Sequence, residues 1–153
     1  TVMAADGRPS AAITVGGGPA RGVRAQQAGR IEAEALPSAL RPRQSVVVRA
    51  TVENTGDTVW LREASRFGGF VTIGCRLATA GGEFVNGSSR RSPLPADVPP
   101  GERARARLRF TIPATVAPGR YQLVLDLYNE MVCAFSDLAP GTACRLDVNV
   151  LPG

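Results

Sequence analysis

The chain has 153 residues, 44% of them hydrophobic, and its 18 basic residues against 13 acidic ones give a formal net charge of +5. This length suits one domain, and no apolar run approaches the roughly 18 residues that cross a bilayer, so we expect no membrane insertion by this segment. The sequence contains no histidine, which excludes Ser-His-Asp and Cys-His catalytic arrangements and the usual zinc sites. We therefore expect no enzyme activity, no metal site and no cofactor.

Every basic residue is arginine, and alanine, glycine, proline and valine are abundant, which indicates a GC-rich gene and a bacterial source. A surface for nucleic acid combines clustered basic residues with aromatic side chains for stacking. Here the arginines are spread along the chain and only 5% of the residues are aromatic. We expect no nucleic-acid partner.

Two regions differ in composition. Residues 1–27 are rich in glycine and contain one short apolar run, so we interpret them as a flexible linker or a peripheral strand. Residues 28–153 are predicted to form the folded domain. Its first strand alternates apolar and acidic residues from Ile31 to Ala35 and ends before Pro37.

Further alternations predict the next strands. One covers Val46–Val52 and ends at the Asn54–Asp57 turn, and another covers Phe70–Leu77 with Cys75 on its inward face. The Gly81-Gly82 turn is followed by a predicted short strand at Glu83–Asn86. A polar loop rich in serine and arginine then leads to Leu94.

The clearest strand covers residues 103–112, where four arginines alternate with apolar residues. A turn at Pro118-Gly119 precedes a strand at Tyr121–Leu127, and an apolar piece at Met131–Phe135 leads to a last strand at Arg145–Leu151. No window has the 3.6-residue period of a helix. The pattern predicts an all-β fold, an immunoglobulin-like antiparallel β-sandwich of seven to nine strands.

The order of turn motifs supports this prediction. It runs Asn54-x-Gly56, Trp60, Pro100-Gly101-Glu102 and Pro118-Gly119-x-Tyr121. Over residues 30–151 it resembles bacterial immunoglobulin-like accessory domains, such as those attached to cell-surface carbohydrate enzymes, and the carbohydrate-binding C-terminal domain of O-antigen exporters.

The resemblance implies a non-catalytic recognition or positioning module of a protein that handles envelope polysaccharide. Its partners would be polysaccharide or neighbouring domains, and its location periplasmic or at the cell surface, with the cytoplasm as the alternative. The competing interpretation is a structural spacer or protein-docking domain without affinity for glycans.

Two sets of side chains are candidate ligand contacts. A sugar-stacking platform is suggested by the rings of Trp60, Phe67, Phe70 and Phe84, although a lone tryptophan here more often plugs the core. An anionic ligand is suggested by the ladder of Arg103, Arg105, Arg107 and Arg109, with Arg105 and Arg107 at its centre. The alternative for the ladder is a solvated face paired across the sheet with Glu32, Glu34 and Glu53.

Three cysteines permit one disulfide. Cys133 and Cys144 flank a ten-residue connection, and we expect them to bridge it in an oxidising compartment, although other pairings remain open. Cys75 is expected to be a free, buried thiol.

Two further features have structural interpretations. The Tyr121 hydroxyl is expected to bond to nearby backbone, as tyrosines at this point of a sandwich do. Oxygen atoms gather at Asp126, Asn129, Glu130 and Asp137, but their spacing matches no calcium loop.

Overall fold

The computed structural model describes residues 27–64, 70–130 and 132–153. These residues contain nine strands: β1 (Gly29–Ala33), β2 (Ala39–Leu40), β3 (Ser45–Asn54), β4 (Val71–Thr79), β5 (Arg90–Pro93), β6 (Arg103–Thr111), β7 (Gly119–Asn129), β8 (Cys133–Ala134) and β9 (Cys144–Val150). One helical turn, α1 (Phe135–Leu138), and a 3₁₀ turn (Pro140–Thr142) lie between β8 and β9. No helix within the described ranges has the length and apolar character needed to cross a membrane.

The strands form two sheets. The first has the order β1-β3-β6, and the second has the order β2-β9-β7-β4-β5, with β8 also paired to β7. All pairings are antiparallel except that of β2 with β9. The chain is an immunoglobulin-like β-sandwich, which confirms the predicted fold class.

The core lies between the sheets and follows the predicted alternation. Side chains facing inward from four long strands are at most 6% exposed; they include Val48, Ala50, Val52, Ile73, Cys75, Leu77, Leu108, Phe110, Leu123, Leu125 and Leu127. Their neighbours on β3 and β6 point to solvent, because successive side chains of a strand face opposite sides of the sheet. The predicted inward faces are therefore correct.

Three local predictions need correction. The strand expected at Glu83–Asn86 is reduced to one bridge between Ala78 and Phe84. The edge strand that pairs with β4 is instead β5, which lies in the stretch predicted to be a loop. β5 is mostly exposed, so it has no alternation to detect. In the predicted apolar piece Met131–Phe135, the described residues 133–135 form β8 and the start of α1, whose single turn is too short to show a helical period.

The strand β2 was also not predicted, because two residues have no period. The chain leaves the first sheet after β1 and joins the second sheet beside β9. Backbone hydrogen bonds from Asn149 to Ser38 (2.9 Å) and from Leu151 to Leu40 (2.8 Å) hold the two strands parallel.

The turn chemistry at Tyr121 is as predicted. Its hydroxyl donates to the Ala117 carbonyl at 2.7 Å, which fixes the turn before β7.

Asn54, at the end of β3, is fully buried and connects three segments of backbone. Its side-chain Nδ2 donates to the carbonyls of Thr58 and Val98, both at 2.8 Å, and its Oδ1 accepts from the Gly56 N–H at 3.0 Å. Its backbone N–H donates to the Glu102 carbonyl at 2.9 Å. The residue thereby joins the end of β3 to the segment that leads into β6.

We expect Asn54→Ala to lower the free energy of unfolding by about 2–3 kcal/mol, because it leaves buried carbonyls without donors. Urea denaturation followed by tryptophan fluorescence measures the change. The exposed Asn149→Ala is the control and should change stability by less than about 0.5 kcal/mol. Equal effects of the two substitutions would contradict the role assigned to Asn54.

Candidate functional site

An open groove of about 410 Å³ lies on the outer face of the second sheet, over β4, β5 and β7. The residues lining it include Arg76, Arg91, Tyr128, Asn129, Cys133 and Asp137. We call it the β4–β7 groove. Its two arginines come from neighbouring strands, and the segment after β7 forms one wall.

The floor of the groove is a layered stack centred on Gly74. A Cβ atom on Gly74 would lie 2.6 Å from Cε2 of Tyr128, so only glycine lets the tyrosine ring rest on the strand. The Arg91 guanidinium lies 3.7 Å from the centroid of the same ring, which makes a cation–π contact. Burial raises the pKa of the Tyr128 hydroxyl, and the charge of nearby Arg76 opposes that shift.

The charge of Arg91 is balanced inside the site. Its Nη1 lies 2.7 Å and 3.0 Å from the two carboxylate oxygens of Glu130. Glu130 also accepts a hydrogen bond from the Thr72 hydroxyl at 2.5 Å. Arg91 is therefore paired with Glu130, and its guanidinium covers the Tyr128 ring.

Arg76 lacks such a partner. Its guanidinium carbon lies 3.6 Å from the centroid of the Phe84 ring, and the side chain is half-buried. Within the described ranges no carboxylate oxygen lies within 4.0 Å of it, and its buried Nε has no hydrogen-bond acceptor. The Arg76 side chain is hydrogen-bonded with that of Tyr128, and its charge interacts with the Asp126 carboxylate. It nevertheless has no carboxylate in direct contact, although charges removed from water are normally paired.

Asn129 carries a second buried polar atom without a partner, but its side chain lies on the inward side of β7, as does that of its cross-strand partner Val71. The residue is 9% exposed, its Nδ2 donates to Gln27 Oε1 at 2.7 Å, and its buried Oδ1 has no donor. Buried polar atoms are rarely left unpaired in folded proteins. This unpaired acceptor therefore lies on the opposite side of the sheet from the Arg76 guanidinium.

Asp126 anchors the wall of the groove. It is 2% exposed, and its carboxylate accepts hydrogen bonds from the backbone N–H and the hydroxyl of Ser136, in α1. Desolvation raises the pKa of this carboxyl, and the bonds from Ser136 and Leu127, with the charge of Arg76, oppose the rise. The interaction holds α1 against β7.

The oxygen-bearing residues do not converge on one point. Glu130 is paired with Arg91, and the Asp137 carboxylate accepts from the Ala134 N–H at 3.2 Å, while Asp126 and Asn129 have the partners given above. Within the described ranges no group of three or more His, Cys, Asp or Glu side chains is arranged to hold a metal ion.

The outer face of the first sheet carries the predicted arginine ladder. We call the outward residues of β3 and β6 the arginine face. Glu53 Oε1 lies 2.6 Å from Arg30 and 3.6 Å from Arg103, and Arg105 lies 4.0 Å from Glu34. The expected cross-strand pairs with Glu53 and Glu34 are present, whereas no ion pair of Glu32 occurs in the described part of the chain.

The aromatic residues do not form the expected platform. Trp60 is fully buried and packs edge-on against Phe135, with ring centroids 5.5 Å apart, so it takes the alternative core position. A platform needs an open ring face, and Trp60 has none. Phe70 is half-buried, Phe84 is 40% exposed with Arg76 over one face, and Phe67 lies outside the described residues.

The expected disulfide between Cys133 and Cys144 is absent, and all three cysteines are free. In the strand pairing, Cys133 of β8 lies opposite Asn129 and Cys144 of β9 lies opposite Leu125, both on the same edge of β7. These positions are about 13 Å apart along the strand, whereas a disulfide requires Cα atoms within about 7 Å. Cys75 faces Leu125 from the other edge of β7, about 10 Å from Cys144, so that pair is not bridged either.

Sequence reasoning missed Arg76, Arg91 and Tyr128 as groove residues. The predicted strand at Phe70–Leu77 did place Gly74 and Arg76 on one outward face, which was the available signal. Arg91 was assigned to a loop, and Tyr128 lies one residue beyond the predicted end of its strand.

No family model matches the chain, and no curated protein matches it. Among solved structures, the sporulation control protein Spo0M from Bacillus subtilis has a TM-score of 0.52 at 15% identity, over 80% of this chain and 49% of that protein. The CARDB domain of a Pyrococcus furiosus protein has a TM-score of 0.47 at 13% identity, over 80% of this chain and 94% of that domain. A β-glucosidase from Listeria innocua in complex with glucose has a TM-score of 0.48 at 14% identity, over 81% of this chain and 16% of the enzyme.

The chain spans about half of Spo0M and a sixth of the β-glucosidase. At these identities the likeness concerns the fold alone.

The cysteine arrangement leads to a thiol prediction. Burial raises the pKa of the Cys75 thiol to about 12, and the residue is 0% exposed. Titration with a disulfide reagent near pH 8 should therefore find three thiols in unfolded, unreduced protein, with Cys75 protected in the folded state. Cys75→Ala identifies the protected thiol, and a single thiol in the unfolded protein would show that the register of β8 and β9 is wrong.

The raised pKa of Asp126 leads to a pH prediction. The folded protein binds this proton more tightly than the unfolded chain, in which the pKa is about 3.9. The resulting stabilisation is fully present below that value and is lost as the pH rises through the raised pKa. As the pH rises from about 3.5 to 7, the free energy of unfolding of the wild type should therefore fall relative to that of Asp126→Asn. Urea denaturation of both proteins at each pH measures this change. A shift in favour of the wild type over this range would contradict the raised pKa.

Proposed function

We propose that this chain is a non-catalytic recognition domain of the bacterial immunoglobulin-like accessory kind, and that it binds an acidic sugar of an envelope polysaccharide in the β4–β7 groove. The observation that carries this proposal is the half-buried Arg76 guanidinium, which lines the groove and has no carboxylate oxygen within 4.0 Å among the described residues.

A carboxylate supplies what Arg76 lacks. The Phe84 ring covers one face of the guanidinium, and this stacking leaves N–H groups at its edge for a ligand besides the hydrogen bond with Tyr128. A carboxylate meets that edge with one or two charge-assisted hydrogen bonds, each of about 1.5–3 kcal/mol. Neighbouring Arg91 adds a second guanidinium to the groove, and Glu130 is paired with it.

The groove is also lined by the polar side chains of Tyr128 and Asp137. Their oxygen atoms accept hydrogen bonds, which hydroxyl groups of a ligand can donate. A ligand with both a carboxylate and hydroxyl groups is a sugar acid. The groove volume of about 410 Å³ lies within the usual range of small-molecule sites, about 300–1,000 Å³.

A docking domain is the second candidate. The observation that favours it is the exposure of Val132 (69%) and Leu138 (66%), in the segment that includes one wall of the groove. Two exposed apolar side chains suit a protein partner. In that case the groove would have no affinity for sugars.

Isothermal titration calorimetry with glucuronic and galacturonic acid, and with glucose as the neutral control, tests the proposal. We expect the two acids to bind with a Kd of about 1 mM and glucose to bind at least tenfold more weakly. Arg76→Gln should weaken binding of the acids about tenfold or more. Exposed Arg120→Gln removes the same charge at the far end of β7 and should leave the affinity unchanged.

Circular dichroism and thermal melts of each variant separate lost binding from lost folding. No heat from either acid at about 50 mM would remove sugar-acid recognition and favour the docking domain. Equal affinity for glucose and the acids, or equal losses in Arg76→Gln and Arg120→Gln, would show that Arg76 is not the anion contact.

A further inference from the structure

We infer that the arginine face is a second binding surface, on the opposite sheet from the groove, which takes a linear acidic polysaccharide along β6. The inference does not depend on the groove. It rests on the arrangement of charges on β3 and β6.

The arginines of β6 form a straight row. Arg103, Arg105, Arg107 and Arg109 are exposed, with neighbours about 7 Å apart and a total length of about 20 Å. β6 is the last strand of its sheet, so the row lies along a rim and not in the middle of a covered surface. A row of point charges at this spacing matches a polymer with repeating anionic groups.

The charge of the row is balanced at only one end. Glu53 is shared between Arg30 and Arg103, and Arg105 reaches Glu34 at 4.0 Å. In the described part of the chain, Arg107 and Arg109 have no carboxylate within that distance. Towards Thr111 the row therefore carries uncompensated positive charge.

Arg49 increases this excess. It lies directly opposite Arg107 in the antiparallel pairing of β3 and β6, and it has no carboxylate within 4.0 Å in the described ranges. Like charges directly opposite each other on a sheet destabilise it. A bound anion between Arg49 and Arg107 removes that repulsion.

The acidic residues favour a chain over a membrane surface. Glu32 and Glu34 are exposed on the β1 side of the same sheet. A planar anionic membrane that covered the sheet would press its phosphates against these carboxylates. A linear polymer follows β6 and avoids them.

The composition of the face favours a polysaccharide over nucleic acid. The outward residues of β1, β3 and β6 include no aromatic side chain, and single-stranded nucleic acid is bound mainly by stacking on such rings. The hydroxyls of Ser45 and Thr111, 2.7 Å apart, continue the row beyond Arg109. Hydroxyl groups suit the hydroxyls of sugars.

Binding of polygalacturonate in about 50 mM salt tests the inference, measured in the Arg76→Gln background so that the groove does not contribute. We expect Arg107→Gln/Arg109→Gln to weaken binding at least tenfold and to reduce its salt dependence. The control is Arg120→Gln/Arg145→Gln, which removes the same charge from exposed positions on the second sheet and should leave binding unchanged. Glu32→Gln/Glu34→Gln should tighten binding.

Several outcomes would overturn the inference. Equal losses in the two arginine pairs would show dependence on net charge alone, and no binding in low salt would show that the face takes no polyanion. Equal or tighter binding of vesicles containing phosphatidylglycerol, or of single-stranded DNA, would assign the face to a membrane or to nucleic acid. By contrast, loss of sugar-acid binding in Arg76→Gln together with intact polymer binding in that variant would support the inference that the two surfaces are separate.

Discussion

The buried side-chain amide of Asn54 holds together the parts of the structure on which the rest depends. Its Nδ2 donates hydrogen bonds to the backbone carbonyls of Thr58 and Val98. Val98 in turn exchanges backbone hydrogen bonds with Trp60, which fixes the tryptophan in the core against Phe135. Because Glu102 also accepts from the Asn54 backbone, the same residue sets where β6 begins beside β3. The same register places Arg49 opposite Arg107 on the arginine face.

The outer faces of the two sheets differ because only one of them is covered. Over β7 the outward side chains of Val124, Asp126 and Tyr128 are at most 6% exposed. The Ser136 bonds to Asp126 keep α1 in place there, and the Arg91 side chain covers the tyrosine. On β6 the outward side chains remain in solvent. The second sheet thus offers a groove lined mainly by polar side chains, and the first offers an extended line of charge.

Sequence reasoning located the parts of the fold that depend on a period of two. The inward faces of β3, β4, β6 and β7 follow directly from alternation, and the Tyr121 turn follows from its Pro-Gly signal. The short pieces β2, β5 and α1 carry no period and were missed. The groove depends on contacts between strands distant in sequence, such as Gly74 with Tyr128. The absent disulfide has the same cause, because the register that separates Cys133 from Cys144 is a property of the assembled sheet.

The parallel pairing of β2 with β9 has a mechanical consequence. If the ends of the domain are pulled apart after β1 has detached, the force acts on β2 and β9 in opposite directions along their axes. The hydrogen bonds at Ser38 and Leu40 are then loaded together in shear, whereas an antiparallel pair pulled from one end opens one bond at a time. A domain with this topology that is held at both ends therefore stays folded under tension until the hydrogen bonds between β2 and β9 break together.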